Sequence, residues 1–322
     1  MARVAVIGAG AMGLAAAYHA LKARHAVELF EADKVPGGMA AHFDFDGLSI
    51  ERFYHFVCKA DRPTFELMDE LGIGGAMKWR PTSMGYFIDG EHHPWGDPIS
   101  LLRFPRLGLV SKLRYGAQMF ASTKRSDWSS LEHVSAKDWI IGGAGAKAYD
   151  VLWRRLFELK FFEYADDISA AWIWTRVKRI GTSRRSLLQE ELGYIDGGSE
   201  TLVRALVKAI DARGGTIRLG APVSEIASRD GVVTGIRAGG ELLPFDAVIA
   251  TVPTPYVSRL VPSFAPETKA KYDAIRNIGV LCVLLKLTHP VTRHFWLNIN
   301  DPRIDIPGLV EFSNLRPLSD TV

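Results

Sequence analysis

Cysteine is nearly absent from this chain of 322 residues, since only Cys58 and Cys282 are present. Two isolated thiols argue against a disulfide framework and against a zinc site, and we expect both to be buried in a reducing compartment. Long apolar runs are lacking as well, so we expect no membrane-spanning helix. The apolar run near the N-terminus is interrupted by three spaced glycines, which argues against a secretory signal and favours a cytoplasmic protein.

A strong excess of charge is also lacking. The formal net charge is only +3 and the pI is about 8.8, which gives no reason to expect a nucleic-acid partner. No Ser-His-Asp arrangement and no metal-ligand spacing is visible, so we expect no metal, and the sequence identifies no catalytic residue. What the chain does have is apolar content, at 48%, which is ample for a sizeable core.

The most informative stretch is Val4 to Gly13, which reads V-A-V-I-G-A-G-A-M-G. A short apolar run, typical of a buried strand, leads directly into the spacing G-x-G-x-x-G, and a helical pattern follows. Gly8 permits the sharp bend, Gly10 lets the backbone approach a pyrophosphate, and Gly13 lets the helix pack close to the strand. The helix then directs its free N–H groups at the phosphates. The pattern predicts a dinucleotide-binding turn.

A second predicted strand, Ala26 to Phe30, ends directly before Glu31, which lies 18 residues after Gly13. An acid at about this spacing accepts hydrogen bonds from the ribose hydroxyls of a bound dinucleotide. Its charge would repel a 2′-phosphate, which argues against NADP.

A glycine pair, Gly37-Gly38, follows the acid after six residues. With this pair the chain resembles the superfamily of flavin amine oxidases, protoporphyrinogen oxidases and phytoene desaturases. The resemblance implies FAD, with the Gly-Gly loop lying against its pyrophosphate and ribityl chain. Members of that superfamily commonly carry an arginine after the glycine pair, where this chain has Met39.

A second block carries the same resemblance. It comprises a Gly197-Gly198-x-x-x-Leu helix, the strand Val223-x-x-Ile, and the strand that begins at Asp246 and ends in the loop at Pro253. The resemblance implies that the backbone of Val223 contacts the adenine. The residues that it places around FAD are Gly8, Ala9, Gly10, Ala11, Met12, Gly13, Glu31, Ala32, Gly37, Gly38, Met39, Ala40, Val223 and Thr251.

The expected fold class is α/β. A Rossmann-like FAD-binding domain with a central parallel sheet, residues 1–56 and 194–255, would be interleaved with a mixed α+β substrate domain, residues 57–193 and 256–322. Relatives would continue to a Gly-Asp motif before a helix, and the only Gly-Asp here, Gly96-Asp97, has the wrong setting. We therefore expect the substrate domain to be incomplete, in preference to a shortened protein with a half-built FAD site.

The resemblance implies an FAD-dependent oxidoreductase that passes a hydride from a small hydrophobic substrate, of isoprenoid, porphyrinogen or amine type, to flavin N5. One alternative is an isomerase like UDP-galactopyranose mutase, which would need paired arginines on the flavin, and the basic cluster between Arg176 and Arg185 leaves this open. Another is a non-catalytic dinucleotide-binding fragment. The oligomeric state is open.

Three features lie near the expected substrate side, and two of them have two interpretations each. Glu51 and His55 would share one helical face, either as polar contacts near the flavin ring or as an ordinary pair. Lys286 is conceivable as the lysine that some relatives place near N5. Residues 98–126 hold six basic residues and no acid among apolar ones. They form either a membrane-contacting surface or, as we favour, a helix packed by its apolar face.

Beyond Pro253 we expect three strands of a substrate-domain sheet, at residues 279–287, 296–299 and 308–312. Seven of the eight tryptophans lie between Trp79 and Trp174, which suits either a large apolar cavity or ordinary core packing.

Overall fold

The computed structural model describes residues 1–321, which form sixteen strands and eleven α-helices. The strands are β1 (Arg3–Ile7), β2 (Ala26–Phe30), β3 (His42–Phe45), β4 (Leu48–Glu51), β5 (Met77–Thr82), β6 (Met84–Ile88), β7 (Glu91–Trp95), β8 (Arg184–Ser186), β9 (Gln189–Ile195), β10 (Thr216–Arg218), β11 (Val223–Arg229), β12 (Val232–Ala238), β13 (Glu241–Pro244), β14 (Ala247–Ala250), β15 (Trp296–Ile299) and β16 (Gly308–Val310). The helices are α1 (Ala11–Lys22), α2 (Arg62–Glu70), α3 (Pro98–Arg103), α4 (Leu109–Lys124), α5 (Ala136–Ala144), α6 (Ala146–Tyr149), α7 (Arg155–Phe161), α8 (Ala170–Thr182), α9 (Ser199–Asp211), α10 (Val257–Leu260) and α11 (Pro266–Asp273).

Strands from two distant parts of the sequence form a four-stranded parallel sheet in the order β10-β2-β1-β14. It is the central sheet of the part of the fold that contains the glycine motif. Helices α1 and α9 pack on one face, where Leu14 and Tyr18 meet Leu206 and Ile210. The antiparallel meander β11-β12-β13 covers the other face and packs Ile236 against the sheet. Because both faces are covered, the strands read as short apolar runs, as is usual in parallel sheets. The expected α/β class is confirmed.

The rest of the chain combines two antiparallel or mixed sheets with a helical layer. The sheets have the orders β16-β15-β6-β7 and β5-β9-β8. Helices α3 to α8 pack around a core that includes Tyr86, Phe104, Ile140, Leu152 and Phe157. The division into two discontinuous domains remains a prediction.

One predicted strand is wrong. Residues 279–287 form no strand, and Val280, Leu281, Val283 and Leu285 are 68–90% exposed. Apolar and β-branched residues favour an extended chain, but a strand needs hydrogen bonds from a neighbour, and no strand in residues 1–321 pairs with this segment. The strand predicted at residues 296–299 is confirmed, and that at 308–312 is confirmed over Gly308–Val310.

Two smaller expectations also need correction. Residues 51–55 are not helical, because Glu51 ends β4 and an irregular segment follows. Cys58 is buried as expected, whereas Cys282 is only partly buried because it lies in the unpaired 279–287 segment. Across residues 1–321, no helix combines the length and the apolar character that crossing a membrane requires.

Candidate FAD-binding site

The turn between β1 and α1 uses its three glycines in three ways. Gly8 has φ of +101°, which L side chains rarely adopt, and its N–H donates to the Phe30 carbonyl at 2.8 Å. A Cβ on Gly13 would lie 1.8 Å from the Gly8 carbonyl oxygen. Gly10 has extended backbone angles, and a Cβ there would meet nothing within 4 Å. The fold itself therefore requires glycine at 8 and 13, whereas Gly10 leaves open space over the turn.

The Gly37-Gly38 loop closes against this turn. The Gly37 N–H donates to the Ala9 carbonyl at 2.7 Å, and Gly37 forms a β-bridge with Gly10. A Cβ on Gly38 would lie 3.1 Å from the Gly10 Cα, so the two backbones are in close contact. Helix α1 begins at Ala11 without a side-chain cap among the described residues. Its first amides are therefore open to an anion.

Glu31 directly follows β2 and is held by backbone donors. Its Oε2 accepts the Ala9 N–H at 2.6 Å and its Oε1 accepts the Asp33 N–H at 2.9 Å. Each oxygen retains a lone pair that a ribose hydroxyl could use. The Glu31 carbonyl also accepts the Ala221 N–H at 2.8 Å, which holds the start of β11, and with it Val223, close to the acid.

The remaining predicted site residues differ in what their side chains do. Thr251 donates its hydroxyl to the Ile7 carbonyl at 2.9 Å and lies behind Gly13, so its side chain supports the turn. Ala11 and Ala32 are exposed, and Met12 and Met39 are 67% and 58% exposed beside the turn. Ala40 is buried. The glycine turn, the acid and the Gly-Gly loop thus come together as predicted, while the binding roles themselves remain proposals.

We call the glycine turn, the Gly37-Gly38 loop and Glu31 together the cradle. Glu51 is a buried carboxylate that holds residues next to it. Its Oε2 lies 2.9 Å from His55 Nδ1, and its Oε1 accepts the Ser199 N–H at 2.8 Å, with His42 Nε2 at 3.6 Å. Burial acts to raise the pKa of the Glu51 carboxyl, but its contacts with His42, His55 and the Ser199 amide outweigh burial and lower the pKa to about 2. Ser199 in turn donates its hydroxyl to the Ala40 carbonyl at 2.9 Å. Glu51 therefore ties the β3-β4 hairpin and the start of α9 to the Gly-Gly loop.

Arg52 is a cation that the sequence analysis missed. Its Nη1 donates to Asp33 Oδ2 at 2.6 Å, and this contact lowers the pKa of the Asp33 carboxyl. Its backbone N–H donates to the Ala41 carbonyl at 2.9 Å. The guanidinium is thus held at Asp33, four residues before Gly37, while the backbone of Arg52 contacts Ala41 just after the Gly-Gly loop. The pair Asp46-Gly47, which is typical of a two-residue hairpin turn, could have indicated this. A hairpin centred there pairs His42 with Glu51 and so brings Arg52 next to Ala41.

The other candidate cations are mostly engaged elsewhere. Lys286 is held at the hairpin tip by Asp46, with Nζ 2.5 Å from Oδ2. Arg179 pairs with Asp61 at 2.6 Å, Arg184 donates to the Gly96 carbonyl, and Lys178 donates to the Arg125 carbonyl. Lys178, Arg179 and Arg184 of the basic cluster are therefore engaged within the protein.

A parallel sheet with a glycine turn, an uncapped helix start and an acid at the end of the second strand defines a dinucleotide-binding protein. The family model described as flavin containing amine oxidoreductase matches residues 13–321, so the chain belongs to this family. This membership confirms the expected resemblance, and the family is by its description one of flavin-containing oxidoreductases.

Several known proteins are similar to this chain. A 15-cis-phytoene desaturase of Synechococcus elongatus is 25% identical over 90% of this chain and 66% of its own length. An oxidoreductase of Methanosarcina mazei has a TM-score of 0.69 at 19% identity and covers 98% of this chain and 75% of its own. A reduced UDP-galactopyranose mutase has a TM-score of 0.68 at 17% identity, covering 98% and 70%. The chain spans about half to two thirds of the length of the curated desaturases that it matches.

Proposed function

We propose that this chain binds FAD and takes part in the oxidation of a hydrophobic substrate. The observation that carries the proposal is the cradle: open space over Gly10, an uncapped start of α1, and an anchored Glu31 meet at one end of the parallel sheet. When bound, the flavin would accept a hydride at N5, so the chain's own task is to bind and orient.

The residues present fit such a dinucleotide. The amides at the start of α1 and the close Gly10–Gly38 contact suit a pyrophosphate, and Glu31 suits the ribose hydroxyls. The Glu31 carbonyl holds Ala221, two residues before Val223, and the backbone of Val223 would contact the adenine. Residues 1–56 and 194–255 would form this FAD-binding domain, and residues 57–193 and 256–322 would hold the substrate.

The proposed substrate class is supported by the relatives and by three aromatic side chains, Tyr54, Phe56 and Trp296, which we call the aromatic wall. Tyr54 and Phe56 stack with ring centroids 6.5 Å apart, and Trp296 meets Tyr54 at 5.9 Å. Such a wall suits a hydrophobic substrate of isoprenoid, porphyrinogen or amine type. The fold match to the mutase keeps the isomerase as the alternative function. The hydrogen bonds of Arg179 and Arg184 within the protein argue against it, and an experiment decides between the two.

An anaerobic titration distinguishes these reactions. The FAD-loaded chain is mixed without oxygen with phytoene in detergent, with protoporphyrinogen or with an aromatic amine. We expect at least one of them to bleach the long-wavelength flavin band, with oxidised product in equal amount. No bleaching, together with conversion of UDP-galactopyranose by the pre-reduced protein only, would contradict the oxidoreductase proposal and support the isomerase.

We also propose that residues 98–126 contact an anionic membrane surface from which an apolar substrate enters. The favoured prediction of a packed apolar face holds for only part of the stretch. Phe104, Leu107 and Tyr115 are buried. Six apolar side chains of α3 and α4 are 45–72% exposed, namely Ile99, Leu102, Leu109, Val110, Leu113 and Phe120. The stretch carries six basic residues and no acid, which complements anionic lipid.

Vesicle flotation tests this contact. The chain should float with vesicles of mixed phosphatidylglycerol and phosphatidylcholine and much less with phosphatidylcholine alone. Val110→Ser with Leu113→Ser should weaken flotation at least about tenfold, because each change removes apolar area that would enter the lipid. Val232→Ser, at an exposed position of the meander, is the matched control and should change nothing. Equal flotation of the double variant and the parent would refute the contact.

A further inference from the structure

Arg52 is tied into the rim of the cradle by both its backbone and its side chain. Its Nη1 donates to Asp33 Oδ2 at 2.6 Å, and the Asp33 N–H donates to Glu31 Oε1 at 2.9 Å. On the other side, the Arg52 N–H donates to the Ala41 carbonyl at 2.9 Å, three residues after Gly38. The guanidinium is therefore linked through Asp33 to the acid that suits the ribose.

These contacts close a ring of hydrogen bonds around the cradle. Glu31 Oε2 accepts the Ala9 N–H at 2.6 Å, and the Ala9 carbonyl accepts the Gly37 N–H at 2.7 Å. The Gly38 carbonyl accepts the Ala41 N–H at 3.3 Å, which leads back to Arg52. The ring thus passes through the glycine turn, the acid and the Gly-Gly loop, and Arg52 is the member that carries a positive charge.

Most of the hydrogen-bonding capacity of this guanidinium is unused. An arginine presents its N–H donors in a planar fork that matches two oxygens of one phosphate. Across residues 1–321, Asp33 Oδ2 is the only acceptor of a hydrogen bond from the Arg52 side chain. The side chains of Arg52 and Asp33 are 36% and 38% exposed, so a ligand can reach the free donors.

The charges at this rim explain what a cation contributes here. Glu31 and Asp33 both carry a carboxylate, and a dinucleotide brings a diphosphate with negative charges of its own. Because like charges repel, the diphosphate would meet two acids and the partial positive charge at the start of α1. Arg52 offsets one of these acids and offers its free donors to the phosphate oxygens.

We propose that Arg52 binds the diphosphate of the dinucleotide and that Asp33 orients its guanidinium. This inference rests on the proposed function, because the ligand is the one that the cradle would hold. It adds a charged side chain to a phosphate site that otherwise consists of backbone amides and glycines. An ion pair at this exposure contributes little to stability, so its place at the cradle favours a role in binding.

Isothermal titration calorimetry with ADP, and with adenosine as the matched probe without phosphate, tests this contact. We expect Arg52→Gln to weaken ADP binding at least about tenfold and adenosine binding less than about twofold, because only ADP presents phosphate oxygens. Arg52→Lys keeps the charge but loses the planar fork, so ADP binding should weaken by about threefold. Arg229→Gln removes an exposed arginine at the end of β11 and is the control that should change neither affinity.

Equal loss of ADP and adenosine affinity in Arg52→Gln would overturn the phosphate contact, because the residue would then only shape the ribose site through Asp33. Unchanged ADP affinity in this variant would overturn it as well. The unfolding temperature of the ligand-free variant should stay within about 2 °C of the parent, since the ion pair is exposed.

FAD retention, measured on the same preparations, keeps this result apart from the proposed function. A parent that retains FAD, with unchanged ADP affinity in Arg52→Gln, would reject the role of Arg52 alone. A parent that binds neither ADP nor FAD would reject the proposed function and the role of Arg52 with it.

Discussion

Gly10→Val is expected to abolish FAD retention while leaving the unfolding temperature of the cofactor-free chain unchanged to within about 2 °C. The backbone of Gly10 has angles that valine adopts, and the new Cβ would meet no protein atom within 4 Å. That same space is where a pyrophosphate must approach the backbone, so the side chain would exclude the ligand without disturbing the fold. Thermal unfolding without FAD and flavin absorbance after desalting measure the two effects.

Gly13→Val is the matched control, because it changes the same motif by the same side chain. Its Cβ would lie 1.8 Å from the Gly8 carbonyl oxygen and 2.8 Å from Thr251 Oγ1, so β1 and α1 would have to separate. We expect it to lower the unfolding temperature by several degrees even without FAD, as overpacked cores do. If Gly10→Val retained FAD like the parent, the proposed position of the pyrophosphate would be wrong.

Glu51→Ala is expected to lower the free energy of unfolding by about 3 kcal/mol, because it leaves buried donors without their acceptor. The carboxylate is only 6% exposed and joins the Ser199 amide to His55. Urea unfolding measures the loss. Glu200→Ala alters the neighbouring residue of α9 and removes a largely local contact with Arg204, so it should cost under about 1 kcal/mol.

The lowered pKa of the Glu51 carboxyl predicts that the free energy of unfolding depends on pH. The folded-state pKa of Glu51 is about 2, below its ordinary value of 4.5, so its ionised form stabilises the fold. This contribution is fully present above about pH 4.5 and is lost as the pH falls towards 2, by up to about 3 kcal/mol. The difference in unfolding free energy between the parent and Glu51→Gln should therefore shrink over this range. A difference that stays constant from pH 5 to pH 3 would contradict the assigned pKa.

The elements that could be predicted from the sequence are those whose formation depends on residues close to them in the chain. Apolar runs, the glycine spacing and the position of Glu31 predicted β1, α1 and β2, because each depends on neighbours within about 30 residues. Asp46-Gly47 favours the β3-β4 hairpin for the same reason, since both residues of the turn adopt positive φ.

What could not be predicted depends on contacts that are distant in the sequence. Glu51 meets the Ser199 amide across 148 residues, and Lys160 meets Trp296 through two separate elements. The apolar pattern of α4 predicts which side chains share one face of the helix, but it does not predict whether another element packs on that face. The exposure of Leu109 and Leu113 could therefore not be predicted. The failed strand at 279–287 shows the same limit, because propensity cannot supply a pairing partner.

The measurement that tests this account most directly is the absorption spectrum of the purified 322-residue chain, recorded before and after incubation with FAD and desalting. The cradle around Gly10 and Glu31 predicts oxidised-flavin bands at close to one flavin per chain after desalting. A chain that remains colourless and retains no FAD would contradict the claim that this cradle binds the cofactor by itself.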